Sequence, residues 1–189
     1  MATFEQYSEV IFWNFKRMDN TNYNFEIICC LIEGSLNSKT KHLYYKPIFI
    51  SMMSIVECVL YDFLCRIQGQ VHEGINLNRI EIEKIKNIDL PTKLKNYTDI
   101  CRKHNLLGKG DDIYDEIIRF SEMRNRVHIQ NQKQTKPFDE SKLWSADEVK
   151  SCGHLIKNIF ELLCMNQPRP EGFHSYPDLN LFPTPWQRL

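Results

Sequence analysis

Apolar side chains return every three or four residues along most of the chain, a spacing that predicts helices almost throughout. Phe4, Tyr7, Ile11, Phe12 and Phe15 mark a first helix from Phe4 to about Met18. A second, shorter apolar stretch from Tyr23 to about Ile32 admits a helix or a strand. Pro47 stands near the start of a long amphipathic segment in which Phe49, Met52, Met53, Val56, Val59, Leu60, Phe63 and Ile67 share a face. This is the expected central core helix, ending near Gly69. Between Gln70 and Leu90 the pattern weakens, and Ile80, Ile82 and Ile85 fit a short helix or a strand. Pro91 suits the first turn of a helix that aligns Leu94, Tyr97 and Cys101, with Gly108 and Gly110 as its stop. A further helix is expected from Asp111 or Asp112 to about Asn131. Asp111, Asp112, Asp115 and Glu116 crowd its first turns, and Arg124, Arg126 and His128 lie near its end, as the helix dipole favours. Ser145 and Glu148 have capping-box spacing for a last helix ending near Met165. The expected architecture is all-α: one helical-bundle domain over residues 1–166 and an extended Pro-rich tail over 167–189, which holds five of the eight prolines.

Length and composition agree with one folded domain. The chain has 189 residues, of which 42% are hydrophobic and 25% charged, ruling out a disordered or low-complexity polypeptide. Lys plus Arg and Asp plus Glu each number 24, so no overall charge draws the whole surface to nucleic acid or an anionic membrane. No uninterrupted uncharged apolar run of about 18 residues predicts a membrane span, and Met-Ala-Thr-Phe-Glu-Gln at the start does not read as a signal peptide. The seven cysteines form no C-x-x-C pair, and adjacent Cys29 and Cys30 would strain a disulfide. They read as buried free thiols in a reducing cytoplasm.

The unusual segment is the helix expected over 111–131. Ile113, Ile117, Phe120 and Val127 define its apolar stripe, and at about 100° per residue Arg124 and His128 fall inside that stripe. Arg keeps its proton, so an inward guanidinium requires a counter-charge, water or an anionic ligand. An arginine beside a histidine suits phosphate chemistry. The planar fork can hold two non-bridging oxygens, and an imidazole with an ordinary pKa of about 6.5 can move a proton near neutrality. RNA carries its own nucleophile in the 2′-hydroxyl, so cleavage needs no metal. A symmetric dimer would supply a second copy of the pair.

The ten residues Glu-Met-Arg-Asn-Arg-Val-His-Ile-Gln-Asn, 122–131, resemble the motif of the HEPN superfamily, whose small helical-bundle members include ribonuclease toxins and other components of bacterial defence systems. The resemblance matches Arg124 as the family arginine, Asn125 as the polar residue after it and His128 as the histidine. It implies an all-helical bundle with the motif helix at a homodimer cleft, and a metal-independent endoribonuclease that uses no cofactor. Three residues separate Arg124 from His128 here, where the family usually has four to six.

Blander readings of the same residues stand beside this one. Arg124 and His128 can form an internal polar network with Glu57 or another acid. Glu122 precedes Arg126 by four residues, the favourable order for a surface pair. The scattered His42, His72, His104, His154 and His174 have no metal-ligand spacing, and Gly108-Lys109-Gly110 is too short to cradle a phosphate. Arg79 to Lys109 holds eight basic residues against four acids, a basic flank or a solvated helix face. The alternative function is a non-catalytic module binding RNA, a nucleotide or a protein. A third reading is a subunit neutralised by an antitoxin-like partner, with Phe182, Pro185 and Trp186 as tail anchors.

Overall fold

The computed structural model describes residues 15–69, 75–90, 92–126, 143–166 and 184–189. These form six helices and a closing 3₁₀ turn, with no strand among the described residues. The helices are α1 (Phe15–Leu36), α2 (His42–Gln68), α3 (Arg79–Lys86), α4 (Leu94–Lys103), α5 (Asp112–Asn125) and α6 (Ala146–Asn166), and the 3₁₀ turn spans Pro185–Arg188.

α2 is the axis of the bundle, packed against α1, α3, α4, α5 and α6. All eight apolar residues aligned in the sequence, Phe49 through Ile67, are buried. By length and composition α2 could cross a membrane, but most of its apolar side chains are covered by the neighbouring helices, and Glu57 and Asp62 interrupt the run. The helix begins at His42, so Pro47 lies inside it and not in its first turn.

α1 is one helix of 22 residues where two segments were expected. The polar run Asp19 to Asn22 reads as a break by propensity, yet Thr21, Ile28, Ile32 and Ser35 are buried at helical spacing with Phe25 packed beside them. Thr21 fits that stripe by pointing its hydroxyl at Cys58 Sγ on α2, 3.4 Å away. Tertiary burial overrides the weak local preference. Residues 4–14 of the expected first helix lie outside the described residues.

The weak region before Pro91 holds the short helix of the two options. Asn78 Oδ1 accepts from the Glu81 N–H at 2.9 Å, while the Asn78 N–H donates to Glu81 Oε2 at 3.3 Å, a capping box that starts α3. Gln68, the last residue of α2, donates to the carbonyls of Ile85 and Ile88 and so satisfies the far end of α3.

α4 buries Leu94, Tyr97 and Cys101 as aligned, but it stops at Lys103, before the glycines. Asn105 takes φ 51°, the Asn105 N–H donates to the Arg102 carbonyl at 3.1 Å, and the Leu106 N–H donates to the Cys101 carbonyl at 2.9 Å. This is a Schellman stop with Asn in the left-handed position that Gly usually occupies. Gly108, at φ 109°, then turns the chain toward α5.

Tyr114 on α5 fastens that turn. Its hydroxyl accepts from the Leu107 N–H and donates to the Gly108 carbonyl, both at 3.0 Å. Burial pushes the phenol up to about 12 from an ordinary 10.0. Because the folded state holds this proton more tightly, the stability it contributes is full below pH 10 and is lost as pH rises toward about 12. Tyr114→Phe leaves the Leu107 N–H without its acceptor and should cost about 1–3 kcal/mol, read as a lower urea midpoint at unchanged slope. An unchanged midpoint would show that the turn does not depend on this hydroxyl.

α6 starts as expected, with the Glu148 N–H donating to Ser145 Oγ at 3.2 Å. The Glu148 carboxylate, however, turns to Arg119 of α5, whose Nη1 lies 3.1 and 3.0 Å from its two oxygens. Arg119 also stacks on Phe120, 4.1 Å from the ring centre.

Of the expected extended tail, residues 167–183 lie outside the described residues. Residues 184–189 do not extend away: Trp186 is fully buried in the bundle core beside α1 and α6. It anchors these closing residues to the bundle. Phe182 lies outside the described residues. No disulfide joins the seven cysteines, but only Cys101 and Cys152 are buried, and Cys30 is exposed.

Candidate functional site

The inward stripe of α5 runs through Ile113, Ile117 and Phe120 to Arg124, as the spacing predicts. Its packing against α2 sets where Arg124 can reach. Phe49 of α2 meets Phe120 edge-on, with ring centres 5.3 Å apart. One turn beyond Phe120, the Arg124 side chain meets Glu57, two turns along α2 from Phe49, with Nη1 2.5 Å from Oε2. The two side chains are 25% and 28% exposed, so the pair lies at the edge of the core and is open on one side. A guanidinium that the apolar stripe carries inward has found its counter-charge.

Glu57 is also one turn from Tyr61, whose ring sits 5.4 Å from that of Tyr97 on α4. Burial, and next the nearby Glu57 carboxylate, raise the Tyr97 phenol above its ordinary value. α2, α4 and α5 thus bring a carboxylate, a guanidinium and two phenols to one place. The partner acid for Arg124 was named from sequence as one candidate among several; Tyr97 was read only as an apolar position and Tyr61 was not singled out, although Glu57 and Tyr61 at i, i+4 were a usable signal.

α5 ends at Asn125, with Arg126 as its C-cap, and not at about Asn131. Val127 and His128 lie outside the described residues. Asn125 is exposed at the helix end, as are Glu122 and Arg126.

Comparison with protein-family models, curated proteins and solved structures gave no match.

Two other groups of side chains hold ionisable residues. Glu116 is raised above the usual carboxylate range, chiefly by burial, against the opposing Arg119 charge. His104 is lowered, chiefly by burial and next by Lys103, with Lys84 adding to the effect and Glu81 opposing it. Among the described residues no three His, Cys, Asp or Glu side chains converge so as to hold a metal ion.

Proposed function

We propose that the protein is a metal-independent endoribonuclease of the HEPN type, toxin-like or defence-associated, acting as a homodimer in the cytoplasm. The observation that carries this reading is the Arg124–Glu57 pair: a guanidinium fixed on the core-facing side of a helix, held through one nitrogen and still partly open to solvent. A phosphodiester group carries the same charge as a carboxylate and, like it, offers two oxygens to the planar fork. In the proposed reaction Arg124 clamps the non-bridging oxygens and His128 takes the 2′-hydroxyl proton. The 2′-oxygen attacks phosphorus, the bond to the 5′-oxygen breaks, and the second protomer's copy of the motif returns a proton to that oxygen. The products are a 2′,3′-cyclic phosphate and a 5′-hydroxyl. Asn125, at the helix end, orients the pair.

The test is cleavage of RNAs of varied sequence in the presence of chelator, with the cyclic phosphate read at the new 3′ ends. His128→Ala should remove cleavage while the helical circular dichroism stays unchanged. Equal activity, or equal inertness, of the two proteins would remove the catalytic assignment.

The same ion pair also supports a second reading, in which Arg124 is already satisfied within its own chain and the cleft binds RNA, a nucleotide or a protein without chemistry. Under that reading His128→Ala and wild type bind the same RNAs equally and neither cuts them. A partner that neutralises the protein fits either reading, but the fully buried Trp186 is not its anchor in this arrangement.

A further inference from the structure

α1 and α2 pack together as a helical hairpin whose tip spans residues 37–41. Several contacts fix the tip. Ser35 Oγ donates to the Lys41 carbonyl at 3.3 Å, and the Thr40 N–H donates to Ser38 Oγ at 3.1 Å. The Tyr44 ring lies so close over Gly34 that a Cβ there would come within 2.8 Å of it. The tip so built holds two leucines outward. Leu36, the last residue of α1, is 42% exposed, and Leu43, in the first turn of α2, is 64% exposed. The other leucines of α2, Leu60 and Leu64, are buried.

Charge is one-sided at the same place. The whole chain has 24 basic and 24 acidic residues, yet no Asp or Glu occurs from Gly34 to Val56, a span that holds Lys39, Lys41, His42 and Lys46. Lys39, Lys41 and His42 are exposed. Among the described residues neither the Lys39 nor the Lys41 side chain has an ion-pair partner. Glu33, the acid that precedes the span, is already paired with Arg188. The tip therefore offers apolar surface and uncommitted positive charge together. RNA would use the lysines and leave the leucines in water, and a protein partner would need a surface shaped to them. An anionic bilayer uses both: acyl chains accept exposed leucines without a matching shape, and headgroup phosphates attract the lysines. The long lysine stems let the ammonium groups stay at the headgroups while the leucines go deeper.

We infer that the α1–α2 tip is a docking surface for an anionic lipid bilayer, with Leu36 and Leu43 entering the acyl region and Lys39 and Lys41 meeting headgroup phosphates. So small a patch gives reversible, peripheral association and not a membrane span. Leu43 lies roughly 20 Å along the α2 axis from Glu57, and the inference stands apart from the ribonuclease reading.

The full chain is tested by co-sedimentation with vesicles of phosphatidylcholine alone and of phosphatidylcholine mixed with phosphatidylglycerol. Wild type should pellet with the mixed vesicles and not with the neutral ones, and binding should weaken as salt rises. Lys39→Gln combined with Lys41→Gln should lower the partition constant by about 25-fold, at about fivefold for each lysine. Leu43→Ser should lower it by about tenfold with the charge unchanged, a loss that electrostatic attraction alone does not produce. Circular dichroism checks that these variants are folded, and Leu36→Ser carries the apolar test should Leu43→Ser fail to fold. Wild type that ignores both vesicles, or pellets equally with both, would overturn the docking surface. So would lysine or serine variants that bind as wild type does. Wild type that ignores vesicles but binds single-stranded RNA through Lys39 and Lys41, with Leu43→Ser indifferent, would assign the basic tip to RNA instead.

Discussion

Phe49→Ala lowers the stability of the bundle by about 3–5 kcal/mol, the cost of truncating a well-packed core aromatic. Phe49 is fully buried on α2, and it touches two rings that come from different parts of the chain: Phe120 of α5 and Trp144 just before α6, each with its centre 5.3 Å away and edge-on. Area burial and the two aromatic contacts are lost together. The cavity would lie between α2, α5 and the segment that leads into α6, whose rings line it. Urea unfolding should show a lower midpoint at an unchanged slope. A loss below about 1 kcal/mol would mean that the site collapses freely and that α5 is not fixed against α2 through this ring. The same substitution should displace Arg124, which lies one turn beyond Phe120, so under the proposed function RNA cleavage should fall even at temperatures where the variant is folded.

Arg124→Lys separates structure from chemistry. Lysine keeps the positive charge that Glu57 needs, so stability should change by less than about 1 kcal/mol, in line with a pair that is partly exposed. It lacks the planar fork and cannot hold two phosphate oxygens at once. Under the proposed function the maximal cleavage rate should drop by about 10²-fold or more, the scale seen when one preorganised donor to a transition-state oxyanion is removed. Retained cleavage with lysine would show that Arg124 acts as a point charge only. Arg124→Ala is the less informative change, because it also leaves Glu57 without its counter-charge at the edge of the core and mixes both effects.

Local spacing made much of the fold legible. The buried face of α2 can be read residue by residue from its period, because a helix with one dry side must repeat its apolar residues every three to four positions whatever packs on it. The same holds for Leu94, Tyr97 and Cys101 on α4 and for the α5 stripe, including the inward direction of Arg124. Element ends were less legible. α4 ends at Lys103 because Asn105 takes the left-handed stop, and neighbouring glycines advertised that role more strongly. α1 runs through polar residues because Thr21 can turn its hydroxyl toward α2, which no propensity records.

What the chain order alone determined is the all-helical class, the central helix and an inward arginine near the end of α5. Each follows from the geometry of a single helix, which needs only neighbours within a turn or two. The tertiary structure decided which carboxylate meets that arginine, which phenols stand beside it, and that the indole of Trp186 fills the space left by Gly153 instead of facing outward. Those pairings join residues far apart in sequence, and they exist only after several helices have buried their faces together; periodicity says that a side chain points inward but carries no information about what it will find there.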